Sequence, residues 1–386
     1  MQHHTSVHPM SEHSQQALPT SIKHRGLGVL IIVVLAAAGS VWFWRRKLLS
    51  LLTHLGPYVR ITSRVTNPTL IVNRWSGDGK AEAFELVSHA KSLGIHTILL
   101  EPGDDLTQLA HQAIDSGADA IGMAGGDGSL GLVAGVAADR DVPFFCVPVG
   151  TRNHFALDLG LNRDDPLSAL DALVGGDELR IDYGTVGDRV FLNNVSLGVY
   201  AAAVHRDTYR GEKVRTIATV LIEAAANPTM VEGLHDMKGP HDERYSRVPM
   251  VLISNNRYSF AGPPDYGRRT RMDAGVLGIA AATSLPNPDT VTKITLGDLA
   301  GWHEWEDDHL RIETDDAEVL TGVDGEALSF ASPLDIEIRH RGLRVLVPAG
   351  VRPGYLPPGE AIAARLFDIA AIGPNPDDAR GESHPA

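Results

Sequence analysis

Ala120-Ile-Gly-Met-Ala124-Gly125-Gly126-Asp127-Gly128-Ser129-Leu130-Gly131 is the stretch that decides the fold. Ala120 to Ala124 form the short apolar run of a buried strand. From about Ser129 to Ala138 the apolar residues fall at helical spacing. The glycines lie at the junction, where they allow a turn with positive φ and a close approach of backbone to ligand. Their N–H groups and the N-terminus of the following helix suit an anion such as phosphate. Asp127 fits beside phosphate only if a cation balances it, and a Mg²⁺–nucleotide brings one. The plain alternative is a tight turn closed by the Asp127 side chain.

The same alternation extends on both sides. Thr69 to Val72 reads as a strand, Lys80 to Leu93 as a helix ended by Gly94, and His96 to Leu100 as a second strand. Asp104 or Asp105 caps a helix running to Ser116. Pro143 to Val147 is a fourth strand, with the single cysteine, Cys146, as a small core residue. Strands alternating with helices predict an α/β domain on a parallel sheet, whose ligands bind beyond the carboxyl ends of the strands. The next loop, Pro148-Val-Gly150-Thr151-Arg-Asn153-His154-Phe155-Ala156, stands at such an end. Gly150 permits close approach, and Thr151 and Asn153 supply neutral hydrogen-bonding groups. Two such loops together argue against a pair of ordinary turns.

These loops resemble those of the diacylglycerol kinase catalytic-domain family, which includes bacterial lipid kinases and sphingosine kinases. Asn73-Arg-Trp-Ser76-Gly77-Asp-Gly79-Lys80 resembles that family's first nucleotide loop, and the resemblance runs from about Leu70 to Val347. It implies transfer of the γ-phosphoryl group of ATP to a lipid hydroxyl, with Mg²⁺. It also implies that Asn73, Ser76, Gly77, Gly125, Gly126, Asp127, Gly128, Ser129, Gly150, Thr151 and Asn153 hold the nucleotide, with Asp127 near the metal. Asp324-Gly325-Glu326 matches the family's Asp-Gly-Glu. By resemblance Glu326 takes the proton from the acceptor hydroxyl, and Asp324 orients the acceptor or a metal. Read alone, these three residues are equally a type I′ hairpin turn. The family often dimerises, so a second copy is an expected partner.

Four positions depart from the family pattern. His154 stands where an Asp is usual, and Ser129 replaces a common Thr but keeps the hydroxyl. No Thr follows the second strand at Leu100 and Glu101. In Arg271-Met-Asp273-Ala274-Gly275, Ala274 holds the place of an Asp, leaving Asp273 as the stand-in ligand for a secondary Mg²⁺.

From Arg180 the helical alternation fades. Arg180–Val186, Val190–Ser196, Pro249–Ser254, Gly275–Ala282, Leu334–Ile338 and Leu343–Val347 read as strands, and the resemblance implies a β-rich second domain with the cleft between the two. Lys213 to Ala226 reads as an amphipathic helix, either core or the lining of a lipid entrance. The expected division is a disordered tail over 1–25, a transmembrane helix over 26–44, a juxtamembrane linker over 45–66, a nucleotide-binding α/β domain over 67–178, a β-rich lipid/acceptor domain over 179–350, and a C-terminal helix and tail over 351–386.

Gly26 to Trp44 is apolar and carries no charge. As a helix it is about 28 Å long, close to the thickness of bilayer hydrocarbon. Trp42 and Trp44 suit the interface, and Arg45-Arg46-Lys47 outweighs Lys23 and Arg25 before the run. That bias places the folded part in the cytoplasm, on a single-pass anchor. Arg-Arg-Lys in place of a small-residue cleavage site argues against a cleaved signal peptide. The net charge of −14 argues against a nucleic-acid binder. Two alternatives remain: a kinase of soluble NAD, which shares the Gly-Gly-Asp-Gly loop, and a membrane-bound sensor that has lost catalysis. The loop at Gly150 and the anchor favour a lipid kinase over the first. Asp127 and Glu326 argue against the second. Diacylglycerol, a sphingoid base, a polyprenol and a glycolipid all fit as acceptor.

Overall fold

The computed structural model describes residues 65–206, 219–220, 223–224, 236–239, 243–246, 248–259, 268–284, 301–314 and 316–354. The apolar run over 26–44, the linker as far as 64, most of the helix expected over Lys213–Ala226, and the C-terminal helix and tail lie outside these residues. Among the described residues no helix is long and apolar enough to cross a membrane.

The first half forms the expected α/β layer. β1 (Pro68–Val72) lies between β2 (His96–Leu99) and β3 (Ala120–Gly125), and β4 (Phe144–Pro148) follows β3, all parallel. β1, β3 and β4 are buried throughout, which is why they read as unbroken apolar runs. The helix expected over Lys80–Leu93 is two, α1 (Lys80–Ala83) and α2 (Leu86–Ser92). The break is at Glu85, which takes φ +48° and donates its N–H to the Glu82 carbonyl. The apolar period survives because Ala81, Leu86 and Ala90 all still face the core. α3 (Leu106–Asp115) is capped by Asp105, which accepts from the Gln108 N–H at 3.0 Å. Asp104 instead accepts from the Glu101 N–H at 2.7 Å, so the two acids divide the turn between them. α4 (Asp127–Asp139) starts two residues before its apolar spacing does, because glycine carries no hydropathy signal. α5 (His154–Leu159) follows the loop after β4.

The second half departs from the expected pattern at its joins. β5 (Asp177–Val186) leads to β6 (Arg189–Phe191) and β7 (Asn194–Gly198), so the strand expected over Val190–Ser196 is broken at Leu192 and Asn193. α6 (Val199–Val204) follows directly. The remaining strands are β8 (Asp236–Lys238), β9 (Arg244–Tyr245), β10 (Met250–Asn255), β11 (Tyr258–Ser259), β12 (Arg268–Arg269), β13 (Leu277–Ala282), β14 (Trp302–Asp307), β15 (His309–Glu313), β16 (Glu318–Val323), β17 (Glu326–Ala331) and β18 (Leu334–Val347). β18 joins the two strands expected at Leu334 and Leu343 into one, with a register shift between Arg339 and Leu343.

That strand unites the halves. It pairs with β15, with β5 along both of its parts, and with β4 at Val345 opposite Phe144. The first sheet therefore runs β2-β1-β3-β4-β18-β15-β8-β9, with β5 on β18 and β6 on β5. The expected boundary at 178 falls inside β5. A second, antiparallel sheet runs β14-β13-β10-β7-β16-β17. Val195, Ile253, Ile279, Trp305, Ile312 and Ile336 share the core of this half.

Candidate active site

Three loops meet beyond the carboxyl ends of β1, β3 and β4. After β1, Asn73 donates its N–H to the Ala124 carbonyl at 2.9 Å, and its Oδ1 accepts from the Trp75 N–H at 3.0 Å. Ser76 then opens a short 3-10 turn that ends at Gly79. After β4, Gly150 donates its N–H to the Gly125 carbonyl at 3.2 Å. A Cβ on Gly77 would lie 2.1 Å from the Val149 carbonyl oxygen, so the first loop rests directly on the third. A Cβ on Gly150 would lie 2.5 Å from the Gly126 Cα, so the second and third touch backbone to backbone. Gly150→Ala should therefore cost about 1–3 kcal/mol, the usual cost of overpacking. Urea unfolding of wild type and variant checks this.

Each polar residue of these loops has a specific place. Asn153 is buried at φ +54° and folds back on its own loop. Its Oδ1 accepts from the Gly150 N–H at 2.9 Å, and its Nδ2 donates to the Gly150 carbonyl at 2.6 Å. It shapes the loop and spends these side-chain groups within it. Thr151 is exposed between the two residues, and Ser129 lies in the first turn of α4. The N–H groups of that turn have no partners inside the helix and are available to an anion.

Asp127 is the first residue of α4, and its carboxylate reaches the start of α5. Oδ2 accepts from the His154 N–H and Oδ1 from the Phe155 N–H, both at 3.1 Å. An acid beside an anion loop is thus balanced by a second helix start rather than closing its own turn. His154, despite its change from the family pattern, supplies the backbone N–H this contact needs.

Asp324 and Gly325 take φ +49° and +86° in a two-residue hairpin between Val323 and Glu326, as the turn reading expects. The side chains are nevertheless used. Asp324 accepts from the N–H groups of Leu192 (2.8 Å), Asn193 (2.8 Å) and Asn194 (3.0 Å). That clamp is what separates β6 from β7. Burial pushes the Asp324 carboxyl up to about 6, against the lowering effect of these N–H groups and with a further rise from Asp127. A carboxyl raised in the folded state favours folding most below its ordinary value of 3.8, and that contribution is lost as pH rises through about 6. The stability of wild type relative to Asp324→Asn should therefore fall between about pH 4 and pH 6 and level off above. Urea unfolding of both proteins across that range checks it.

Glu326 opens β17, half-buried, with its carboxylate against Gly128. A Cβ on Gly128 would meet Glu326 Oε1 at 2.6 Å. The absence of a side chain there lets an acid of the second half reach the anion loop of the first.

Asp273 is placed differently from the expected metal ligand. Its Oδ1 accepts from Arg271 and its Oδ2 from Arg341, each at 2.9 Å. A carboxylate held by two guanidinium groups is a poor ligand for a third cation. Among the described residues there is no group of three or more His, Cys, Asp or Glu able to hold a metal.

Three polar features escaped the sequence reading. Asp182, fully buried in β5, accepts from Gly275 N–H (2.6 Å), Arg341 N–H (2.7 Å), Asn256 Nδ2 (3.1 Å) and the ring of His340 (3.0 Å). Its strand, DELRIDYGTV, carries several charged residues, so nothing in the sequence singled it out. Arg269, on β12, is fully buried against Asp158 of α5 at 2.7 Å. Arg189 of β6 reaches the Gly128 carbonyl at 3.5 Å. Neither arginine stands in a motif, and both partners are remote in sequence.

Residues 67–186 match the diacylglycerol kinase catalytic domain. The chain is 33% identical over 124 residues to a diacylglycerol kinase of Mycobacterium tuberculosis, covering 31% of this chain and 40% of that protein. It is 33% identical over 141 residues to a diacylglycerol kinase of Bacillus subtilis, covering 35% of this chain and 46% of that one. The aligned part thus spans less than half the length of either relative. The crystal structure of a diacylglycerol kinase from Bacillus anthracis shares the fold, with a TM-score of 0.54 at 19% identity over 74% of this chain and 98% of that chain. The domain match and the relatives thus agree that residues 67–186 are similar to the diacylglycerol kinase catalytic domain, and the solved structure shares the fold.

Proposed function

We propose that this protein is an ATP-dependent lipid kinase that works at a membrane surface. The observation that carries the reading is the approach of Glu326 to Gly128: a carboxylate from one half of the molecule meets the anion loop of the other. The backbone N–H groups at the start of α4 bind the phosphates of ATP. Asn73, Ser76 and Gly77 bound the nucleotide from one side, and the loop from Gly150 to Asn153 from another. Mg²⁺, when bound, offsets phosphate charge. Glu326 accepts the proton of the lipid hydroxyl as its oxygen bonds to the γ-phosphorus and the bond from that phosphorus to the β-phosphate oxygen breaks. ADP leaves, and the lipid becomes a phosphomonoester. Positioning and electrostatics supply most of the acceleration in such transfers. Asp324 fixes the hairpin that presents Glu326.

The apolar run over 26–44 supports a single-pass anchor with the folded part in the cytoplasm. It would hold the cleft near its substrate and raise the effective concentration of lipid. Transfer of labelled γ-phosphate from ATP to diacylglycerol, a sphingoid base, a polyprenol and a glycolipid in mixed micelles tests the proposal. A labelled lipid is the expected product. Label appearing only on added NAD, or ATP binding without transfer to any of these lipids, would overturn it.

A further inference from the structure

α4 presents glycines at 128, 131 and 135, and the second half of the molecule lies against them. A Cβ on Gly128 would meet Glu326, one on Gly131 would lie 3.4 Å from Asp324 Oδ2 and from the Val190 carbonyl, and one on Gly135 would lie 3.1 Å from Val190 Cγ2. β6 is thus laid along the helix. Val190 packs beside its middle, which carries Arg189 to its first turn. There Arg189 Nη2 donates to the Gly128 carbonyl at 3.5 Å. Arg189 Nε is shielded from solvent and has no hydrogen-bond partner. Among the described residues only two other buried side-chain nitrogens or oxygens share that condition, Arg74 Nε and Trp305 Nε1.

A buried donor without an acceptor is costly, so such a group calls for an explanation. The guanidinium and the Glu326 carboxylate converge on one glycine, from β6 and β17. Resting on the kinase reading above, we propose that Arg189 is a catalytic residue that donates to the γ-phosphoryl group of ATP during transfer. Its planar fork matches phosphate oxygens. Its charge offsets the repulsion between that phosphoryl group and the carboxylates of Glu326 and Asp127. It makes no covalent bond and moves no proton.

Arg189→Ala and Arg189→Lys, made in the full chain, test the assignment in two assays. In lipid phosphorylation, kcat for Arg189→Ala should fall by roughly 10²–10³-fold, the scale of losing one stabilising donor. Arg189→Lys should recover part of it, and added guanidinium ion should partly restore Arg189→Ala. In binding, wild type should prefer a non-hydrolysable Mg-ATP analogue over Mg-ADP, and Arg189→Ala should lose that preference while its Mg-ADP affinity and melting temperature stay near wild type. A kcat within threefold of wild type, or equal losses of Mg-ADP affinity and thermal stability, would overturn the assignment. If wild type phosphorylates no lipid, the kinase reading fails, and the binding assay alone decides Arg189. A retained preference for triphosphate in Arg189→Ala then sinks it.

Discussion

Glu326→Ala should lower lipid phosphorylation by roughly 10²–10⁴-fold, the usual contribution of a positioned general base. Nucleotide affinity should stay close to wild type, because the loops proposed to bound the nucleotide are held by other contacts. Gly150 bonds Gly125, Asn153 closes its own loop, and Asp127 links α4 to α5. None of these bonds involves Glu326. Glu326→Gln is the sharper variant. It keeps the shape at Gly128 and removes the proton acceptor, so it should lose nearly as much activity as Glu326→Ala with an unchanged KM for ATP. Initial rates with labelled ATP in mixed micelles, paired with Mg-ADP binding, measure both. A loss below tenfold in Glu326→Gln would mean that the acceptor proton leaves by another route and that Glu326 serves as packing on Gly128.

The first half of the fold was readable because its signals are local. β1, β3 and β4 are buried on both faces, so their apolar runs stand out, and the glycine loops follow them in sequence. The motifs were legible as a group, but the work of each residue was not. Asn153 and Asp127 read as ligand groups, and both spend side-chain atoms tying loops together. In each case the partner is set by the folded loop, which residue type alone does not reveal. The second half was less legible because its strands are joined by distant contacts. The break between β6 and β7 depends on Asp324, far along the chain, offering two oxygens to three N–H groups. The continuity of β18 depends on β5 accommodating its bulge. Arg269 and Arg189 carried no signal, because an arginine in a β-rich sequence ordinarily sits in solvent.

Arg269 carries the other large expected effect. Its guanidinium is completely buried and donates to Asp158 Oδ2 (2.7 Å), Asn193 Oδ1 (2.9 Å), the Asn255 carbonyl (3.1 Å) and the Leu192 carbonyl. The Tyr258 ring centroid lies 5.8 Å from it. Asp158 belongs to α5, behind the Gly150 loop, whereas Leu192 and Asn193 belong to the connection that Asp324 clamps through its N–H groups. One short segment is thus held by its N–H groups to the Glu326 hairpin and, through Arg269, by its Leu192 carbonyl to α5. Removing one partner of a buried ion pair costs about 3–5 kcal/mol, since the other charge is left unpaired. Arg269→Ala should reach the upper end, because it also takes a donor from Asn193 Oδ1 and from the Asn255 and Leu192 carbonyls, the last of which keeps Asn255 Nδ2. Asp158→Ala should fall lower. The double variant Asp158→Leu with Arg269→Met should recover much of the loss, because two apolar side chains leave no buried charge behind. Urea unfolding of wild type, Arg269→Ala, Asp158→Ala and the double Arg269→Ala/Asp158→Ala gives the coupling energy directly. Costs that simply add would show that the two residues act separately. A coupling of 1 kcal/mol or more would identify the pair as the tie that keeps the anion loops and the Glu326 hairpin in register.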